Sequence, residues 1–250
     1  MAWEKQQLRR LLSDTGRRMG LGPAAVDELV RRAQFGRWRR GQRIFDAEDT
    51  SDLVNFLVAG AVKVTCPTGP GTVCVQMVRP GQFFGLNWYP AREEARIFVA
   101  TAFTDCTAAM FTSEVMARIV AQAPPGAVLQ ILSYSWRALS RLLYEKCCLL
   151  GLRLEDRLLH ELGILARDFG RPTGDGGMRI ELALTHADLG EFALASRSNV
   201  ARAMKRLERR GLVLRDGRRL VLTRAFFEAD HEHVRRLRRS GFAFPVRRVA

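Results

Sequence analysis

Between Ser196 and Arg224 the chain carries ten Lys or Arg against two acids, more than half of the net charge of +14 spread over its 250 residues. Guanidinium groups at that density suit a polyanion. Val200, Ala203, Met204 and Leu207 recur at helical intervals and predict a buried stripe, which leaves Ser196, Arg197, Ser198, Asn199, Arg202, Lys205, Arg206 and Arg209 for the other faces. When a helix lies in the major groove, residues near its N-terminus reach base edges, and Arg can grip guanine O6 and N7 with two hydrogen bonds. Arg197 and Arg202 are therefore the expected base readers, with Ser198 and Asn199 beside them. Lys205 and Arg206 are expected at phosphates. The alternative is a solvated basic surface, or one that meets an acidic protein or RNA.

These side chains need two short helices to position them. Thr185, with Asp188 three residues on, predicts the cap of a first helix, and Ser196 the cap of a second that runs to about Arg210. The turn between them reads Ala193-Leu194-Ala195 and has no glycine, so Leu194 is expected to take a left-handed conformation at some cost. After the second helix, apolar and polar residues alternate around Asp216-Gly217 from Leu212 to Thr223. This predicts a two-stranded basic wing that sets Arg218 and Arg219 against phosphates.

Upstream, residues 35–111 are rich in Val, Phe, Thr and Gly, with regularly spaced turn signals such as Ala59-Gly60 and Pro80-Gly81. Short strands at that spacing predict an antiparallel barrel or jelly roll. From Pro125 the pattern becomes helical. Leu129, Leu132, Trp136, Leu139, Leu143, Lys146 and Leu150 step by three and four residues, a heptad seam broken once by a lysine. Such a helix either pairs with a second copy or packs on its own barrel. Pairing would give the two-fold axis that sets two reader helices about 34 Å apart. Gly151 then marks a hinge or a plain helix end.

The second reader segment, together with Leu184-Thr185 and Asp188-Leu189-Gly190 before it, closely resembles the winged helix of the Crp/Fnr family of bacterial transcription regulators. The matching residues continue through Ser196, Arg197, Val200, Arg202, Met204, Leu207 and Glu208. The resemblance puts Arg197 and Arg202 on the family's base-reading arginines and Ser196 on a phosphate contact. Ser198 stands where the family often has a glutamate able to accept from cytosine N4, so the preferred DNA site is expected to differ. Residues 39–45, 56–64 and 79–85 are similar to successive strands of a cyclic-nucleotide-binding β-roll.

The fold class implied is α+β: an N-terminal antiparallel, jelly-roll-like β-roll, a long dimerisation helix and a C-terminal winged helix-turn-helix. The expected boundaries are a basic helical segment at 1–25, a sensor roll at 26–122, the dimer helix at 123–151, the winged helix at 152–230 and a basic tail at 231–250. The implied partners are double-stranded DNA with a pseudo-palindromic site, a second copy of the chain, and RNA polymerase, which family members touch when they activate.

Nucleotide-binding members of the family follow Phe-Gly with a Glu for the ribose hydroxyl, and further on carry Arg-Ser/Thr-Ala for the cyclic phosphate. This chain has Leu86 after Phe84-Gly85, then Trp88, and Arg96-Ile97-Phe98; only the arginine persists. Leu142-Leu143 replace a Thr-Ser pair that one branch uses towards adenine. Each unpaired polar group on a bound nucleotide would cost about 1–3 kcal/mol, so control by cyclic AMP is not expected. Leu86, Trp88, Ile97, Phe98, Leu142 and Leu143 line an apolar pocket for a hydrophobic ligand or haem, or simply fill the core. A haem- or gas-sensing regulator is the alternative reading, and a cyclic dinucleotide on another surface stays open.

His160, His186, His231 and His233 all fall outside the roll, and the five cysteines show no C-x-x-C spacing. No metal site, iron–sulfur cluster or other cofactor is expected. Cys147-Cys148 are small hydrophobes on a helix or an oxidisable link between protomers. Glycine-rich phosphate loops, nucleophile elbows and paired-histidine zinc motifs are absent, so the chain is not expected to be an enzyme. No apolar run reaches a membrane span, and with no signal peptide the expected location is the cytoplasm. The first ~20 residues, predicted as a short basic helix, are expected to be solvated and partly mobile.

Overall fold

The computed structural model describes residues 2–49, 51–68, 71–85 and 97–229. The chain divides between Cys147 and Cys148 into two compact units.

In the first unit, two four-stranded antiparallel sheets form the roll. One has the order β1-β8-β3-β6, from β1 (Gln34–Trp38), β8 (Cys106–Thr112), β3 (Leu53–Ala59) and β6 (Phe83–Phe84). The other has the order β2-β7-β4-β5, from β2 (Arg43–Phe45), β7 (Val99–Ala102), β4 (Val62–Thr68) and β5 (Gly71–Val78). Strand β3 is buried on both faces, which explains its nearly unbroken apolar run. Leu57 joins Phe45, Val62, Val64, Val78, Phe84, Ala100 and Ala108 in one core cluster, while Val54, Phe56 and Val58 belong to a second.

That second cluster is built with helices α1 (Ala2–Met19), α2 (Pro23–Arg32), α3 (Ser113–Ala121) and the start of α4 (Pro125–Leu150). Here the sequence expectation is corrected. Ala2–Met19 do form a helix, but it is not solvated: Leu8, Leu12 and Met19 are buried against Phe56 and Phe111. Thr15 Oγ1 donates to the Gly81 carbonyl at 2.8 Å, and the buried Glu4 carboxylate accepts from Arg37 Nε at 2.8 Å. The basic residues of α1 hid an amphipathic helix whose apolar side belongs to the core.

Helix α4 has two faces. Ala127 and Ile131 are buried and Tyr134 packs against the cluster of the roll. Leu129, Leu132, Trp136, Leu139, Leu143 and Leu150 are exposed, Trp136 by 69%. The helix ends at Leu150, and Gly151 follows it.

The second unit holds α5 (Leu154–Phe169), β9 (Gly170–Pro172), β10 (Met178–Ile180), α6 (His186–Ala193), α7 (Arg197–Arg209), β11 (Val213–Asp216) and β12 (Arg219–Leu222). Its sheet runs β11-β12-β10-β9, so the predicted two-stranded wing is half of a four-stranded sheet. Leu158, Leu162, Ile180, Leu189, Phe192, Val200, Met204, Leu207 and Phe226 are buried in this unit. Among the described residues, no helix is long and apolar enough to cross a membrane.

Candidate nucleic-acid interface

Helices α6 and α7 begin where their caps predict. Thr185 Oγ1 accepts from the Asp188 N–H at 3.1 Å, and the Asp188 carboxylate accepts from the Thr185 N–H at 3.0 Å, a reciprocal capping box. Ser196 Oγ accepts from the Asn199 N–H at 3.3 Å. Between the helices Leu194 takes φ 53°, ψ 52°, the left-handed conformation expected of it. The turn is closed by the Ala195 N–H donating to the Gly190 carbonyl at 3.0 Å. Gly190 permits that approach: a Cβ there would lie 2.5 Å from the Ala195 carbonyl oxygen.

Val200, Ala203, Met204 and Leu207 are fully buried, as their spacing predicts, and this orientation fixes the opposite face of α7. Ser196, Arg197, Ser198, Asn199, Arg202, Lys205, Arg206 and Arg209 are all exposed. Arg202 Nη2 donates to Asn199 Oδ1 at 2.6 Å, one helical turn back toward the N-terminus. Ser196 and Ser198 hydroxyls lie 3.2 Å apart.

The wing turns one residue later than Asp216-Gly217 suggests. Asp216 pairs with Arg219, so Gly217 and Arg218 are the central residues of the hairpin. Gly217 has φ 59° while Arg218 keeps a negative φ, the pattern of a II′ turn with glycine first. Arg218 thereby stands at the tip.

Tertiary structure sorts the cations of this surface into two sets. Arg197, Arg202, Lys205, Arg209 and Arg218 have no carboxylate partner among the described residues, Arg202 meeting the Asn199 amide instead. Others are paired. Arg206 is bonded to Glu155, whose other oxygen lies 3.4 Å from Arg210 Nη1. Arg219 Nη2 is 3.3 Å from Glu181, which also receives Arg179 at 3.0 Å. Arg215 Nε donates to Glu208 at 2.8 Å, and its Nη2 lies 2.7 Å from His186 Nε2. Burial first, and then the Arg215 guanidinium, lower the His186 pKa below its ordinary value. Glu155, His186 and Glu181 carry no signal of these roles in the sequence. Glu155 and His186 lie 51 and 29 residues from their partners Arg206 and Arg215, so no local spacing marks them.

The apolar set around the roll is less convergent. Leu86, Trp88 and Arg96 lie outside the described residues. Phe98 packs against the core cluster of the roll, whereas Ile97 is 67% exposed and Leu143 lies in the exposed stripe of α4; Leu142 is half-buried. In the single chain, Ile97 and Leu143 therefore face solvent rather than an enclosed pocket. Cys106, buried in the roll, has its thiol pKa pushed up to about 11 by burial and by Asp105. Cys66 and Cys74 lie on the adjacent strands β4 and β5 but pair with Val73 and Thr65 rather than with each other.

Residues 36–123 match the model of the cyclic nucleotide-binding domain, and residues 153–225 match the Crp-like helix-turn-helix domain. The chain is 31% identical over 170 residues to the global nitrogen regulator of Synechocystis sp. (strain PCC 6803), covering 66% of this chain and 73% of that one. The chain belongs to the Crp/Fnr family of transcription regulators. Members of this family are DNA-binding regulators, not enzymes.

A second relative in the family, at 24% identity over 216 residues (85% of this chain, 94% of that one), is the CRP-like cAMP-activated global transcriptional regulator of Mycobacterium tuberculosis (strain H37Rv). Among solved structures, the c-di-GMP-responsive global regulator CLP of Xanthomonas campestris shares the fold with a TM-score of 0.68 at 17% identity, over 81% of this chain and 99% of that one.

Proposed function

We propose that this Crp/Fnr regulator acts as a homodimer that binds a pseudo-palindromic duplex through α7 and the wing, without control by cyclic AMP. The observation that carries the DNA contacts is the exposed face of α7, fixed opposite four fully buried side chains and started by the Ser196 cap. On this reading Arg197 and Arg202 read bases, with Ser198 and Asn199 beside them. Ser196, Lys205 and Arg218 hold phosphates, and Arg206 and Arg219 reach phosphates only by leaving Glu155 and Glu181. The second copy is supported by the stripe Leu129, Leu132, Trp136, Leu139 and Leu143, which the roll of the same chain leaves uncovered. Leu86 and Ile97 in place of a hydrogen-bonding pair argue against a cyclic nucleotide.

The test is selection of a preferred duplex, followed by titration of that duplex and of random-sequence DNA at fixed salt, with and without cyclic AMP. The wild-type chain is expected to favour the selected duplex equally in both conditions. Arg197→Ala is expected to lose about 1–3 kcal/mol on the selected duplex and to relax one base position. Equal loss on both DNAs would refute a base-reading Arg197, and binding that needs cyclic AMP would refute the effector reading. Preference for single-stranded RNA or for an acidic protein would overturn the DNA reading itself.

A further inference from the structure

Glu155 lies in the first turn of α5 and sends its two carboxylate oxygens to two guanidiniums one helical turn apart at the end of α7. Oε1 accepts from Arg206 Nε, and Oε2 lies 3.4 Å from Arg210 Nη1. Glu155 is the less exposed partner, at 28% of its side chain against 46% and 53% for the two arginines. A carboxylate and a phosphodiester compete for the same donors, because each offers anionic oxygens that accept the guanidinium fork, and one fork cannot fully serve both. The same unit leaves Arg197, Lys205, Arg209 and Arg218 unpaired among the described residues. The backbone attraction of this surface is thus divided by tertiary pairing and not by the number of cations.

We propose that Glu155 is a specificity-determining residue that occupies Arg206 and Arg210 as an internal stand-in for a backbone phosphate, holding down sequence-independent DNA binding. The inference rests on the DNA-binding reading above. Phosphate contacts strengthen binding to every sequence alike, while base contacts discriminate. Withholding two cations therefore lowers affinity for random DNA by more than it harms recognition. The exposed pairs are weak, each worth up to about fivefold in an equilibrium, so the restraint is a graded one that DNA can overcome.

The experiment uses the full chain with Glu155→Gln, which keeps the shape of the side chain and removes its charge. Affinity for a random-sequence duplex is expected to rise about three- to tenfold. The magnitude of the salt slope is expected to grow by about 0.9 for each phosphate newly met by Arg206 or Arg210. The ratio of selected to random affinity should fall. Random-sequence affinity within about twofold of wild type, with an unchanged slope, would overturn the proposal.

Two further variants isolate the part played by the arginines. If the gain persists when Arg206→Ala and Arg210→Ala are added to Glu155→Gln, it comes from lost repulsion through space and the proposal fails. Arg206→Ala added by itself to Glu155→Gln is expected to remove a substantial part of the gain in random-sequence affinity; a gain kept in full would show that Arg206 does not carry it and would count against the proposal. Failure of the DNA-binding reading looks different, since the wild-type chain would then bind no duplex selectively.

Discussion

Arg157 Nη1 donates to the carbonyl oxygen of Leu194 at 3.3 Å, linking α5 to the left-handed residue that joins the two helices of the reader. A leucine in that conformation costs about 1–2 kcal/mol relative to the right-handed helix. The bond from Arg157 supports the carbonyl of the strained residue. Leu194→Gly is therefore expected to stabilise the protein by about 0.5–1 kcal/mol, the relief of strain exceeding the entropy that glycine adds to the unfolded chain. Leu194→Val, branched at Cβ, should destabilise instead. Urea unfolding of both variants checks the opposite signs.

Gly190→Ala is expected to destabilise by about 1–3 kcal/mol, since its methyl would meet the Ala195 carbonyl oxygen at 2.5 Å and backbone cannot swing away as a side-chain tip can. The separation of α6 and α7 would widen, so selective DNA binding should fall by more than stability alone explains. Parallel denaturation and binding measurements on the variant would show whether the two losses separate.

His186 makes stability depend on pH. Its pKa is lowered in the folded chain by burial and then by Arg215, with Arg197 adding to the effect and Glu208 opposing it. The unfolded chain therefore binds more protons than the folded one between the lowered pKa and the ordinary value of 6.5. The contribution is complete above that ordinary value and is lost as pH falls through the interval. His186→Gln should reduce the slope of stability against pH below 6.5, measured by denaturation at several pH values. A slope equal to wild type would exclude His186 as its source.

Leu8→Ala is expected to cost about 2–5 kcal/mol, because the side chain is fully buried in the cluster shared by α1 and the β1-β8-β3-β6 sheet. A solvated N-terminal helix would lose less than about 0.5 kcal/mol. Thermal or urea unfolding of the full chain distinguishes the two.

If the proposed homodimer forms through this stripe, Trp136→Glu combined with Leu139→Glu should give a folded monomer. Both residues are exposed in the single chain, 69% and 47%, so their replacement removes no core contact of that chain. Sedimentation is expected to show loss of the dimer with an unchanged circular dichroism spectrum, and DNA affinity should fall because two half-sites no longer bind together. A dimer that persists would place the two-fold contact elsewhere.

Much of the reader was legible in the sequence because its determinants are local. The caps Thr185–Asp188 and Ser196–Asn199 span three residues, and the stripe from Val200 to Leu207 follows the helical repeat, so short-range geometry dictates both. The roll was legible as spaced strands and turns, though not its order, since β1 pairs with β8 and β2 with β7 across long intervals. The burial of α1 was not legible: a helix rich in Lys and Arg shows its charge in the composition, while the partner for Leu8 and Leu12 comes from strands some forty or more residues away.

Local spacing settles which side chains face outward on α7, because a helix with four apolar positions on one side has only one side left for its arginines. Which of those arginines are held by carboxylates depends instead on packing between distant elements. Glu155 reaches Arg206 across 51 residues, and Glu181 lies beside Arg219 only because β10 pairs with β12. An ion pair acts over a few ångströms, and whether two distant residues come that close depends on how helices and strands pack, not on their spacing along the chain.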